Sequence, residues 1–250
     1  MNGYAGRVAR DLVATVGAAG APGGWAPPGR ALVPERLLPV AGQLAGLFAE
    51  HGLRRGSTVV VDRAAPGAMS LALALLSGPS AAGSWCAAVG APDLGLVGAA
   101  QLGLDIARLA LAPSPGPRWP VVAAAFLEGF DVVLLVPPGD ARPADARRLE
   151  ARARQAGSVL AVLSPAWPGV ADVRLSVDGG SWTGLEDGAG YLAGRELQVA
   201  LTGRGAASRP RRARLVVGQG PDRGPGVGGR RPGLVVLGGT SPRAGGPGGD

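Results

Sequence analysis

The fold is decided by residues 57–76, which read STVVVDRAAPGAMSLALALL. The first five residues predict a buried strand, and the apolar run from Leu71 onward predicts a helix. The short loop 62–70 lies between them. A strand, a loop and a helix in this order form the setting in which a glycine-rich loop cradles phosphate at the N-terminus of the helix.

The loop carries only part of the chemistry that this setting needs. A phosphate-binding loop uses glycines, a Lys for the β/γ-phosphates and a Ser or Thr for Mg²⁺. Gly67 supplies a glycine, but Ala68 stands at the lysine position, and the chain has no Lys anywhere. Met69 and Ser70 replace the hydroxyl pair, although Ser70 could fill one of those positions. Two interpretations remain open: a weak phosphate site made of backbone N–H groups over 67–70, or a turn that binds nothing.

Strands and helices alternate on both sides of this stretch. The predicted strands are 57–61, 85–89, 109–112, 131–136 and 158–163. The predicted helices are 37–51, 68–77, 94–102, 119–128 and 143–155. Several of these strands are continuously apolar, which is typical of strands covered on both faces by helices. The fold class is therefore α/β with a mainly parallel central sheet, and 131–136 is expected to be an interior strand.

Two of the helices carry more detailed expectations. The first, 37–51, is expected to end at Gly52 as a C-cap. The last, 143–155, is expected to hold its charged residues on a solvent-exposed face. These charged residues are Arg147, Arg148, Glu150, Arg152 and Arg154.

The pattern changes after residue 172. Residues 173–177 alternate as in a half-exposed strand, and 197–201 and 213–217 resemble the arms of an antiparallel hairpin joined by a basic loop. The expected organisation is a weak helix and flexible linker over 1–33, a core with its hairpin over 34–217, and a disordered Gly/Pro/Arg-rich tail over 218–250.

The positive charge is concentrated at the C-terminal end. Residues 203–250 contain nine arginines against two aspartates, which accounts for the whole net charge of +7. The densest basic cluster is Arg209, Arg211, Arg212 and Arg214. These side chains either contact DNA phosphates or an acidic partner surface, or they are simply solvated.

Metal binding and nucleophilic catalysis are not expected. The single histidine, His51, and the single cysteine, Cys86, form neither a metal cluster nor a catalytic pair. His51 is expected to be structural at a helix end, and Cys86 to be a small core residue. One cysteine and no signal-peptide pattern predict a cytoplasmic protein.

Three short segments carry a family resemblance. Residues 52–60 read GLRRGSTVV, 102–109 read LGLDIARL and 130–135 read FDVVLL. In this order and spacing they resemble the core of the RecA family over about residues 36–217. The resemblance implies a RecA-like fold in which the first segment enters the phosphate loop.

The departures from that family predict a protein without catalysis. The resemblance implies a metal-linked acid after the fourth strand, where this chain has Val136, and a catalytic Glu near 89–92, where it has no acid. Asp93 is the nearest acidic residue, but it lies slightly C-terminal to the position expected for the catalytic Glu. Without Lys and these acids the phosphate charge is uncompensated, so we expect no ATP hydrolysis, no appreciable ATP binding and no cofactor. The loops that contact DNA in the family are short, at 137–143 and 164–172.

A short, degenerate RecA-like chain is most similar to the ImuA-type (ImuA-prime) accessory proteins of bacterial mutasomes. This resemblance implies an accessory role in damage-induced translesion DNA synthesis. It also implies an ImuB-type polymerase-like protein and an error-prone replicative-type polymerase as partners, and a location near the nucleoid. Two alternatives stay open: an atypical NTPase that completes its site in trans, and a DNA-binding protein acting through its basic end.

Overall fold

The structure is a computed structural model that describes residues 36–183, 194–218 and the backbone of 235–236. The expected N-terminal segment, 1–33, lies outside these described residues. Most of the expected disordered tail, 218–250, lies outside them as well.

The described chain begins with a small antiparallel unit. It contains β1 (Leu37–Pro39), α1 (Gly42–Ala45) and β2 (Gly52–Arg54), with β1 paired to β2. The prediction of a helix over 37–51 was therefore wrong. Pro39 cannot donate the N–H that a helix interior needs, and Gly42 and Gly46 are poor helix formers. Gly52 consequently begins a strand instead of capping a helix.

Five short parallel strands form the centre of a nine-stranded sheet. They are β3 (Thr58–Val61), β4 (Cys86–Val89), β5 (Leu109–Ala112), β6 (Val132–Leu135) and β7 (Val159–Leu163). Every residue in them is buried, as continuous apolar runs predict. β6 lies between β4 and β7, which confirms the prediction of an interior strand at 131–136.

Helices cover both faces of these strands. They are α2 (Ala68–Ala81), α3 (Leu96–Gln101), α4 (Trp119–Gly129) and α5 (Pro143–Ala156). Successive strand residues contribute to two separate cores, because strand side chains alternate between faces. Val59 and Val61 pack with α2, α3 and the N-terminal unit, whereas Val60 packs with α4 and α5. The prediction of an α/β fold with a mainly parallel sheet is confirmed.

An antiparallel hairpin extends one side of the sheet. β8 (Val173–Thr183) pairs in parallel with β3, and β9 (Gly194–Gly203) and β10 (Arg211–Gly218) follow in antiparallel register. The expected hairpin is therefore present, with a connection over residues 204–210. At the opposite side, β11 (Val235–Val236) pairs in parallel with β5.

One charged residue of α5 does not lie where the charge pattern predicts. Glu150 is only 2% exposed, and its Oε1 accepts a hydrogen bond of 3.0 Å from Nε1 of Trp167. Its expected place on the solvent face was therefore wrong. The pattern alone does not reveal Trp167, a distant donor that makes burial of the carboxylate acceptable.

Candidate functional site

The loop after β3 begins α2, as the sequence predicts. Gly67 is the N-cap of α2, with a φ of +98° in the left-handed region that favours glycine. Ala68 follows it and is buried, so a buried methyl group occupies the position where phosphate chemistry needs a lysine. Met69 and Ser70 are half-buried in the first turn of the helix.

Two backbone donors of the loop are already engaged inside it. The Ala64 N–H donates to Oδ1 of Asp62 at 2.9 Å, and the Ala68 N–H donates to the Ala65 carbonyl oxygen at 3.2 Å. A phosphate-binding loop needs such donors to point at the ligand instead. The carboxylate of exposed Asp62 also adds a negative charge at the mouth of the loop, which disfavours an anion.

Strand β9 packs against this loop. A Cβ placed on Gly67 would lie 2.7 Å from Cδ2 of Leu197, which is fully buried. Nη2 of Arg195 donates to the Pro66 carbonyl oxygen at 2.9 Å. The loop glycine therefore leaves room for a side chain of β9, and Arg195 brings a positive charge to the loop.

The sequence did not single out Leu197 or Arg195 for this role. Arg195 and Pro66 are 129 residues apart in the chain. Their meeting depends on the pairing of β8 with β3 and of β9 with β8. No local pattern carries that information.

The position of the lost acid is also filled by packing. Val136 is 4% exposed, and its N–H donates to the Val89 carbonyl oxygen at 2.8 Å. Gly90 has a φ of +78°, and a Cβ there would collide with the Val136 carbonyl oxygen. The ends of β4 and β6 therefore meet backbone to backbone. The nearest acid in sequence, Asp93, is exposed.

Residues 46–169 match the family model of the MT3502 N-terminal domain. The match covers β2 to β7, including the loop and Val136, and ends before β8. The chain is also 44% identical over 105 residues to the uncharacterized protein Rv3395c of Mycobacterium tuberculosis. That alignment covers 42% of this chain and 52% of the relative, so it spans only about half the relative's length.

The region that matches the MT3502 N-terminal domain contains the degenerate loop but not the strand that packs against it. Leu197 and Arg195 lie in β9, beyond the end of the match at residue 169. The hairpin that bears the basic cluster lies beyond it as well.

The structure places the four arginines of the predicted basic cluster at separate positions around β10. Arg209 lies in the connection between β9 and β10, and the other three lie on β10 itself. Arg212 and Arg214 are exposed on one face of β10, and half-buried Arg211 lies on the other, because strand residues alternate. The cluster is therefore not one continuous loop surface.

Two of these arginines have acidic partners. Nε of Arg212 lies 3.4 Å from Oδ2 of Asp178, and Nε of Arg214 lies 2.8 Å from Oε1 of Glu196. Such exposed pairs are weak and screened by salt, so both guanidinium groups can exchange partners at small cost. The acids nevertheless reduce the positive potential of this face.

The single cysteine and the single histidine have structural surroundings. Cys86 is fully buried in β4, and burial, followed by the charge of Asp131, raises the pKa of its thiol. A thiol of this kind is a poor nucleophile. Nδ1 of exposed His51 lies 3.2 Å from the Ala45 carbonyl oxygen, and its φ of +56° places it in the turn before β2. The expected helix end at His51 does not exist, so the proposed dipole contact was wrong.

Within residues 36–183 and 194–218, no group of three or more His, Cys, Asp or Glu side chains could hold a metal ion. Among the helices of the described part, none has the length and apolar character needed to cross a membrane.

Proposed function

We propose that this chain is a non-catalytic, RecA-like scaffold that serves as an accessory protein in damage-induced translesion DNA synthesis. In this role its body binds an ImuB-type polymerase-like protein, and an error-prone replicative-type polymerase is a second partner. The observation that carries the proposal is the loop after β3, where buried Ala68 replaces the lysine and β9 packs on Gly67. In this proposal the chain keeps the strand–loop–helix arrangement of a nucleotide-binding core and uses its surfaces for packing.

The sheet supports the finer, RecA-like part of the fold proposal. β3, which precedes the loop, lies inside the sheet, with β7 on one side and β8 on the other. The loops after parallel strands meet at one edge of a sheet, which is where α/β proteins bind ligands. At this edge two of the loop donors are engaged internally and the acid position holds Val136. Such an edge suits a protein that has kept the fold and lost the reaction.

A specific observation bears on the NTPase alternative, in which the site was expected to be completed in trans, by offering a cation in cis instead. Arg195 supplies a cation beside the loop from within the same chain. An atypical NTPase could use such a group in place of the missing lysine, since a guanidinium binds phosphate well. The alternative predicts that Arg195 is needed for ATP turnover, whereas the scaffold proposal predicts no turnover.

The two possibilities are separated by one experiment on the full chain. The chain is mixed with the ImuB-type protein encoded in the same genome, with and without Mg-ATP, and is analysed by size-exclusion chromatography with phosphate release measured in parallel. We expect co-elution to the same extent in both conditions and phosphate release equal to the blank. Absence of a complex would overturn the scaffold proposal. Turnover that Arg195→Gln abolishes and the exposed control Arg212→Gln retains would assign the protein as an NTPase.

A further inference from the structure

A concave region lies at the sheet edge opposite the degenerate loop. It is a cavity of about 550 Å³ at the amino ends of β3 and β8. Its walls come from residues 48–57, the last turn of α5, the start of β8 and the connection after β9. The volume lies within the range of roughly 300–1,000 Å³ that is usual for small-molecule sites.

The wall of this cavity is rich in arginine. Four arginines line it, namely Arg54, Arg55, Arg154 and Arg204. They come from three separate parts of the chain: β2 and the turn after it, α5, and the connection after β9. The lining acids are Glu50 and Asp172. The lining side chains therefore carry a net positive charge.

Contacts inside the cavity leave three of the four lining arginines without an acidic partner in the described part of the chain. Oδ2 of Asp172 accepts the Thr58 N–H at 2.8 Å, and Arg55 pairs with Asp131 at 2.8 Å. Within the described residues, the side chains of Arg54, Arg154 and Arg204 make no hydrogen bond or ion pair, and all three are exposed.

Arg55 also contains an unsatisfied donor, which lies behind the surface of this wall. Its Nε is buried and has no hydrogen-bond partner among the described atoms. Buried polar groups are normally satisfied, so such a donor is unusual in a protein interior. Nη1 of the same guanidinium is held by Asp131, which fixes its position.

Part of the remaining wall is apolar. Phe48, Leu53 and Val59 line it and are buried. Gly56 has a φ of +80°, and a Cβ there would lie 3.2 Å from Cα of Arg154. The turn after β2 therefore packs directly on the end of α5, which fixes the backbone position of Arg154.

We propose that this cavity binds a small phosphorylated molecule carrying at least two negative charges. Its phosphate lies among Arg54, Arg154 and Arg204, because guanidinium groups bind phosphate oxygens with charge-assisted hydrogen bonds. A small molecule fits better than single-stranded nucleic acid, since Phe48 is only 4% exposed and offers no face for base stacking. This site is separate from the loop after β3 and goes beyond the proposed scaffold role.

The test uses pyrophosphate as the probe, titrated by calorimetry into the full chain at low salt. The double variant Arg154→Gln/Arg204→Gln removes two cavity arginines. The matched control Arg147→Gln/Arg148→Gln removes the same charge from exposed positions of α5 outside the cavity. We expect the cavity variant to bind pyrophosphate at least about tenfold more weakly, because several charge-assisted hydrogen bonds are lost. The control should bind like the wild type.

Three results would overturn the proposal. The first is no pyrophosphate binding by the wild type at roughly millimolar concentration. The second is an equal loss in both double variants, which would indicate a general effect of net charge. The third is binding of a short oligonucleotide that is lost in the Arg154→Gln/Arg204→Gln variant, together with no binding of pyrophosphate. That result would assign a nucleic-acid surface. Unchanged thermal unfolding of both variants establishes that they are folded.

Discussion

At the scale of single residues, Asp131 connects the turn after β2 to the residue that precedes β4. Its Oδ1 pairs with Nη1 of Arg55 at 2.8 Å, and its Oδ2 accepts the Trp85 N–H at 3.1 Å. Both charged side chains are largely buried, at 17% and 15% exposure. Substitution of one partner in such a pair leaves the other charge without compensation in a poorly solvated place.

We expect Asp131→Asn to lower the free energy of unfolding by about 2 kcal/mol, less than for a fully buried pair because water still reaches this one. The control is Asp178→Asn, the same substitution at an exposed pair with Arg212. That change should cost less than about 1 kcal/mol. Urea unfolding of both variants measures the difference, and equal losses would contradict a special role for Asp131.

At the scale of elements, two helices contain an interior glycine for different reasons. A Cβ on Gly78 of α2 would lie 2.5 Å from the carbonyl carbon of Val40 and 2.7 Å from the Ala41 nitrogen. In α3, a Cβ on Gly98 would meet nothing within 4 Å. Gly78 therefore permits α2 to pack against the backbone of Val40 and Ala41. Gly98 has no such packing role and only weakens α3.

The same substitution should consequently have opposite effects in the two helices. Gly78→Ala should destabilise the protein by about 1–3 kcal/mol, because backbone atoms must move apart. Gly98→Ala should stabilise it by about 0.5–1 kcal/mol, because alanine is the better helix former. Denaturant unfolding reports both signs, and two changes of the same sign would refute the packing argument for α2.

At the scale of the whole molecule, charge is divided between a balanced body and a basic end. All of the +7 net charge resides in residues 203–250. If that end contacts DNA, each neutralised phosphate releases a counterion. The logarithm of the affinity should then fall with the logarithm of salt concentration with a slope of about −0.9 per contact on duplex DNA.

We therefore expect DNA binding to weaken when Arg209, Arg211, Arg212 and Arg214 are all replaced by Ser, and the salt dependence to become shallower. A matched control replaces four exposed arginines elsewhere, namely Arg142, Arg147, Arg148 and Arg174. Fluorescence anisotropy over a salt series compares the two variants. If they bind DNA alike, the location of the hairpin arginines is irrelevant and this end is only solvated.

The sequence by itself determined the alternation of strands and helices from residue 57 to residue 163. Each core strand is a continuous apolar run, and each helix has its own local pattern, so these elements are encoded by near neighbours. β6, expected over 131–136, is found over Val132–Leu135, and α5, expected over 143–155, is found over Pro143–Ala156. The missing lysine at Ala68 and the missing acid at Val136 are likewise visible without a structure.

Only the tertiary structure decided what surrounds these positions. Leu197 and Arg195 reach the loop through a chain of strand pairings, and the cavity arginines come from segments far apart in sequence. Residues 37–51 were misjudged because the helical spacing of their apolar residues also fits a short strand, one turn of helix and a turn, and the pairing of β1 with β2 decides between the two arrangements. Local patterns determine which element forms, whereas contacts between distant residues depend on the order of strands in the sheet, which no single segment encodes.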